Sequence, residues 1–455
     1  MILLTKLVLA PISRVPGQVQ IELEIEGGKV VRSKVAGTMA RGLEATLKGH
    51  DPRDAQLLTQ RICGICPVAH GIAAAQALEK AFGAAIPENA RVMRNLLLGA
   101  NFLLTNIYHF YQIALPDYVH SLPLAPFTPG PAITPTLPVQ ANAALVQHFL
   151  LSLEMSRTVQ EMLAVFGGKM PHPSAVVPGG VTENADAQKV TAFRSRLREV
   201  ADFIKNVYLP DVHTLAWYNP QAFAYGAGAG NLLSLGAYPL KDGLRGQPEF
   251  YFKSGRYTNG QPGEVDPDKI KEEFRYAWYE GDSFQSEKPG AYSWVKAPRY
   301  EGTAYEVGAL ARMVIHGHSG VKALGDKAFS AMGRHIARAE ESLLLAGALD
   351  EWLNQLEPGK PVAVNLNPTP LAQGTGITEA PQGALLHRLE VKNAVIHNYQ
   401  VIAPATWNAS PRDDSGKPGP LEQALVGTPV PDTTNPLEVY RVIRSFDLCL
   451  ACAAH

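Results

Sequence analysis

The four cysteines of this 455-residue chain form two Cys-x-x-Cys pairs, Cys63 with Cys66 and Cys449 with Cys452, and the second pair ends the sequence as Cys452-Ala453-Ala454-His455. A histidine follows each pair, His70 after the first and His455 after the second. If both pairs serve one site, the fold must return its last residues to a loop near its beginning. Four thiolates are a soft-metal ligand set, suited to zinc, iron–sulfur or nickel. A structural zinc usually joins knuckles that lie close in sequence, a thioredoxin-type redox pair needs one Cys-x-x-Cys beside a βαβ unit, and a disulfide framework belongs to short secreted chains. Zinc therefore stands as the bland alternative to a catalytic soft-metal centre.

With 46% hydrophobic residues the chain can bury a large core. A formal net charge of -1, with no run of like charges, points away from nucleic acid and anionic membrane surfaces. The most apolar stretch, residues 96–107, is interrupted by Asn101, Thr105 and Asn106 and falls short of a membrane span. The apolar start ends at Lys6, too early for a secretory signal. Export through a partner's signal is still allowed, so the compartment is left unassigned.

Alternation of Val19, Ile21, Leu23 and Ile25 with polar residues, followed by Gly27-Gly28 and residues 29–35, predicts an N-terminal β-hairpin. Helical periodicity predicts long helices over 69–82, 89–115, 139–166 and 191–208, with a proline-rich irregular crossover at 121–138. Residues 219–300 read as loops and strands. A long helix is expected over 326–356, with His335, Arg338, Glu340 and Glu341 as a solvated polar face. After a Pro- and Gly-rich stretch, 358–376, short strands are expected around 385–401. Asn435 as cap and Pro436 as first helical residue predict a last helix running to Phe446. Taken alone, Glu44 reads as a solvated helix glutamate and His172 as a structural histidine in a turn outside any site.

The segments Arg61-x-Cys63-Gly64-x-Cys66-x-x-x-His70 and Asp447-x-Cys449-x-x-Cys452-x-x-His455 resemble the paired signatures of the large subunit of nickel–iron hydrogenases. The likeness extends through Arg41-Gly42-Leu43-Glu44, Trp294 to Tyr300 and Glu306 to Arg312, and so covers essentially the whole chain. It implies one domain, residues 1–455, with a predominantly helical α+β fold: a long-helix bundle core, an N-terminal β-hairpin and peripheral short strands. It implies reversible heterolytic cleavage of dihydrogen, with Cys63 and Cys449 as terminal nickel ligands and Cys66 and Cys452 bridging to an iron that carries carbon monoxide and cyanide. Cys449 would be the first proton acceptor. His70 would orient a bridging thiolate. Glu44, the carbonyl of Val401 and His455 would hold a magnesium ion. Electrons would pass to an iron–sulfur small subunit in an obligate heterodimer, with a dimer of heterodimers as a further assembly.

Several positions depart from the family pattern. Pro16 stands where a proton-gating glutamate is usual, Gln382 replaces the arginine that follows Pro381, and Ala405 replaces a serine or threonine that contacts cyanide. Thr105 occupies the place of an aspartate, and Leu448 that of the proline after Asp447. The ligands are kept while the groups around them change. Two functions follow: an enzyme, or a dihydrogen-binding regulatory subunit of low turnover.

Overall fold

The computed structural model describes residues 4–120, 122, 133, 135–240, 249–281 and 283–455. The expected hairpin is there as the two strands β2 (Val19–Glu26) and β3 (Lys29–Gly37), and a further strand, β1 (Thr5–Leu9), pairs antiparallel with β2. The alternation of β2 does what the pattern requires: Val19, Ile21, Leu23 and Ile25 are buried and their neighbours are not. β1 escaped the sequence reading because it is an edge strand whose Val8 faces outward.

Long helices make the body. α1 (Pro67–Ala81), α2 (Glu88–Tyr108), α3 (Val139–Gly167) and α4 (Ala187–Phe203) correspond to the four periodic segments. The second was expected to run to residue 115. Instead it gives way to a π turn, His109–Ala114, and a 3-10 turn, Leu115–Asp117, because Pro116 has no N–H to continue the ladder. The fourth starts earlier than expected, where the Asp186 side chain accepts the Lys189 N–H at 2.7 Å. It runs on through a second π turn, Ile204–Tyr208, into α5 (Leu209–Tyr218). Of the expected crossover at 121–138, residues 121, 123–132 and 134 lie outside the described residues.

The 219–300 region is loop and strand, built on the antiparallel pair β4 (Leu232–Pro239) and β5 (Phe250–Thr258). α6 (Ala309–His316) leads to the central helix α7 (Ala331–Leu353), capped by the Ser330 hydroxyl on the Gly333 N–H at 3.0 Å. Here the expectation of a solvated polar face fails. His335, Arg338 and Glu341 are buried, because Arg312 arrives from α6 to pair with Glu341 at 2.5 Å and the Ser445 carbonyl accepts from Arg338 at 3.2 Å.

The expected short strands are a three-stranded antiparallel sheet, β6 (Leu371–Ala380), β7 (Gly383–Lys392) and β8 (Val395–Ile402). β6 begins inside the stretch that looked irregular, and its glycines are the reason it fits. A Cβ on Gly376 would lie 1.8 Å from the Ala73 carbonyl oxygen and one on Gly374 2.1 Å from that of Ala77, so the strand lies directly against α1. The chain closes with α8 (Pro404–Asn408), α9 (Leu437–Ser445) and α10 (Leu450–Ala453). α9 starts one residue later than expected: Pro436 occupies the cap position with non-helical ψ, and the Leu437 N–H bonds the Asn435 carbonyl at 2.7 Å. One apolar cluster runs from Leu9 to Ala453 and includes all four cysteines.

Candidate metal centre

Cys63 follows a single 3-10 turn and Cys66 caps the N-terminus of α1, while Cys449 caps α10 and Cys452 lies within it. The two motifs are pinned together by backbone contacts. Arg41 donates from one guanidinium nitrogen to the carbonyls of Ile62 and Ala451, each at 2.5 Å, and its N–H reaches the Ala454 carbonyl at 2.7 Å. Asn101 on α2 donates to the Ile65 carbonyl at 2.8 Å.

This places the sulfurs of Cys63 and Cys449 3.6 Å apart, Cys66 and Cys452 3.5 Å apart, and Cys449 and Cys452 3.0 Å apart. All four are buried, and a ring nitrogen of His70 lies within 4.8 Å of the sulfurs of Cys66 and Cys452. The Cys63 sulfur also accepts the N–H groups of Ile65 and Cys66, each at 3.2 Å. Hydrogen bonds from Cys449, Cys452 and Cys66 hold the Cys63 thiol well below its ordinary pKa, whereas burial and the neighbouring thiols push Cys452 well above it. A cluster of this kind cannot become fully ionised without a cation to balance it. The spacing suits that cation: thiolates about 2.3 Å from a common metal stand less than twice that distance apart. The residues therefore fit a buried soft-metal centre.

Around the cluster, the structure brings together most of the residues singled out by sequence. His70 is fully buried, and burial lowers its pKa to about 4. Its Nδ1 is 3.1 Å from Nε2 of His387. Asp447 sits at φ 51°, uncommon for a non-glycine residue. Burial raises its carboxyl to about 6, against the hydrogen bond from Gln382 and the charge of Arg338. Gln382 and Pro381 occupy the turn between β6 and β7, and the Arg312 guanidinium fastens that turn to the Ala380 and Pro381 carbonyls at 3.1 and 2.8 Å. Ala405 is buried in α8, which packs on α10. A chamber of about 10 Å³ is bounded by Arg14, Pro16, Ile65, Gln382, Asp447 and Cys449. Thr105 turns its hydroxyl back onto the Asn101 carbonyl at 2.8 Å.

Glu44 is buried, not solvated as its isolated position suggested, because Lys296 and His455 close over it. Lys296 lies 2.8 Å from Oε2 and His455 Nε2 3.4 Å from Oε1, and together they outweigh burial and hold its pKa at about 2. The Val401 N–H donates to Glu44 Oε1 at 2.7 Å. His172, set aside as a turn residue, is in a turn at φ 59°, and its side chain also hydrogen-bonds the Cys63 backbone.

Arg312, His387 and Tyr399 were not assigned to the site by sequence. Arg312 lay in a recognised segment without a role, and the two strand residues carried no signal beyond alternation.

Residues 41–132 and 119–455 match the family described as nickel-dependent hydrogenase. The chain is 41% identical over 498 residues to the periplasmic [NiFeSe] hydrogenase large subunit of Desulfomicrobium baculatum, covering 99% of this chain and 95% of that protein. It is 31% identical over 551 residues to the hydrogenase-2 large chain of Escherichia coli K12, covering 99% and 97%. A crystal structure of the D. baculatum [NiFeSe] hydrogenase superposes with a TM-score of 0.96 over 99% of this chain and 100% of that one. The reduced enzyme of Desulfovibrio vulgaris Hildenborough, 40% identical, superposes with a TM-score of 0.95, again over 99% and 100%.

Proposed function

The chain belongs to the nickel-dependent hydrogenase family, and from that premise we propose that it is a catalytic large subunit that cleaves and forms dihydrogen reversibly at a nickel–iron centre. The observation that carries this reading is the buried cluster itself. Four sulfurs from opposite ends of the sequence stand 3.0 to 3.6 Å from their neighbours, with His70 beside one pair. Several relatives carry selenium in their names; this chain supplies cysteine at all four positions.

In this reading Cys63 and Cys449 would hold nickel, and Cys66 and Cys452 would serve both nickel and an iron carrying carbon monoxide and cyanide. Such a centre supplies Lewis-acid sites at which dihydrogen is polarised and split heterolytically. The chain's residues handle the proton. Cys449 borders the small chamber, and its thiolate would be the first acceptor. The chamber has room for about one water, and two residues that line it, Asp447 and Gln382, each hold a buried oxygen without a partner, Oδ2 and Oε1. Pro381 and Ala405 would offer apolar surface to the diatomic ligands. Glu44, His455 and the carbonyl of Val401 would hold a magnesium ion, a reading supported by the 3.4 Å approach of His455 Nε2 to Glu44 and by the Val401 N–H on Glu44 Oε1.

All four cysteines of the chain are in this cluster, so the chain has no cysteine left for an iron–sulfur relay. Electrons would leave through an iron–sulfur small subunit in an obligate heterodimer. Among the described residues no helix is long and apolar enough to cross a membrane. The whole chain, 1–455, is read as one large-subunit domain, supported by the main apolar cluster, which runs from Leu9 to Ala453.

Gln382 and Pro16 favour a second reading, a dihydrogen sensor of low turnover, because neither side chain can supply the charge or the proton relay of the family pattern. Nickel and iron analysis of the purified heterodimer, infrared bands of metal-bound carbon monoxide and cyanide, and hydrogen–deuterium exchange test both. Zinc in place of nickel and iron would return the structural-zinc reading. The metals and bands with negligible turnover would select the sensor.

A further inference from the structure

His70, His387 and Tyr399 form a hydrogen-bonded row whose His70 end lies beside the sulfurs. Nδ1 of His70 lies 3.1 Å from Nε2 of His387, and Nδ1 of His387 lies 2.8 Å from the Tyr399 hydroxyl. All three side chains are buried. His70 Nε2 is the remaining ring nitrogen and has no hydrogen-bond partner, while the Cys66 and Cys452 sulfurs lie within 4.8 Å of a ring nitrogen. Tyr399 has no other hydrogen-bond partner among the described residues.

The row admits two proton arrangements. In the first, the Tyr399 hydroxyl donates to His387 Nδ1, His387 Nε2–H donates to His70 Nδ1, and His70 Nε2–H points at the sulfurs. In the second, every bond is reversed: the Tyr399 proton has no acceptor, and His70 turns a bare lone pair toward electron-rich sulfur. The first leaves no proton stranded at Tyr399 and turns an N–H, not a lone pair, toward the sulfurs, in a place where an unmade hydrogen bond costs most. We propose that Tyr399 and His387 are positioning residues that lock the tautomer of His70, so that Nε2–H donates to the Cys66 and Cys452 thiolates and moderates their donation to the metal. The hydrogen-bonded partner of one imidazole nitrogen decides which nitrogen carries the proton, and such outer contacts tune the metal.

The fold is built to make this contact. His387 pairs in register with Gly376, the residue whose missing side chain lets β6 lie on α1 at Ala73, one turn beyond His70. Tyr399 comes from the next strand, paired with Leu389. No local motif joins the three residues, and His70 and His387 are 317 positions apart.

The inference rests on the metal reading above, and its test separates the two. In the purified heterodimer, infrared spectra of wild type are compared with Tyr399→Phe, His387→Leu and His387→Gln. A thiolate relieved of its hydrogen bond gives more electron density to iron, so His387→Leu should move the carbon monoxide band to lower wavenumber. Tyr399→Phe should move it the same way by less. His387→Gln, whose amide can donate from the place of Nε2, should stay near wild type. Unshifted bands in all variants, or a Gln variant shifted as far as the Leu variant, would overturn the lock. If wild type shows no such bands, the metal reading fails instead. Neutron diffraction then decides the lock, with a deuteron on His70 Nε2 supporting it and one on Nδ1 overturning it.

Discussion

The carbonyl oxygen of Pro16 accepts the Leu450 N–H at 2.7 Å, holding the N-terminal segment on the residue that follows Cys449. Position 16 thus contributes its backbone to the second cysteine motif. The adjoining Gly17, at φ 92°, is pressed so closely that a Cβ would lie 2.5 Å from the Ala451 nitrogen.

Because the clamp uses the carbonyl and not the ring, Pro16→Glu should leave it intact while adding a carboxylate beside the chamber. Combined with Gln382→Arg, it should raise the rate of hydrogen–deuterium exchange by about 10-fold or more, general acid–base groups being worth about 10²–10⁴-fold. Equal rates in wild type and the double variant would show that the proton leaves by a route independent of both positions.

Gly376 and Gly347 make opposite predictions. Gly376→Ala forces a methyl against the Ala73 carbonyl and should destabilise by about 1–3 kcal/mol, with loss of bound metal. Gly347 lies in α7 with nothing near its missing Cβ, so Gly347→Ala should stabilise by about 0.4–1 kcal/mol. Thermal denaturation of both variants checks the pair.

Arg312 lies between Glu341 at 2.5 Å and Glu379 at 2.8 Å, with all three side chains fully buried. Arg312→Leu strands two carboxylates and frees the turn that carries Gln382. A loss of about 3–5 kcal/mol is expected, measurable by denaturant titration. A variant as stable as wild type would show that the pair is not needed to hold this turn.

His335 is buried with both ring nitrogens unpartnered and faces His109, Phe110, Arg338 and Arg334. Burial and then the two arginines lower its pKa to about 3. Its folded pKa lies below the unfolded value, so the neutral imidazole's contribution is complete above about pH 6.5 and is lost as pH falls toward the folded value. The expected slope is about 1.4 kcal/mol per pH unit for this one group. His335→Phe should reduce the acid sensitivity of the melting temperature between pH 6 and pH 4, about the window in which the buried imidazole must charge. An unchanged pH profile would exclude His335 as the source.

His455→Ala removes the imidazole that approaches Glu44 at 3.4 Å and should weaken nickel retention and thermal stability together. Metal content and melting temperature equal to wild type would sink the magnesium site.

Much of this molecule was legible from its residues. The cysteine pairs marked the centre because spacing, His70 and His455 are local features, and the periodicity of β2 and of α1 to α4 located the elements that carry it. Boundaries failed where the deciding interaction was a single local bond: the missing N–H of Pro116, the non-helical ψ of Pro436, the Asp186 cap. Burial of charge failed for a different reason. Glu44, His335, Arg338 and Glu341 look solvated in sequence, since nothing nearby says that Lys296 or Arg312 will arrive to pair with Glu44 and Glu341.

The sequence by itself determined which atoms are available to bind metal and, if both pairs serve one site, that two distant segments must meet. Only the tertiary structure decided what surrounds those atoms. A ligand motif is read from residues that adjoin along the chain. The partner of His70 is chosen by how closely a strand can approach a helix, which depends on Gly376 and on packing between segments that share no local sequence relation.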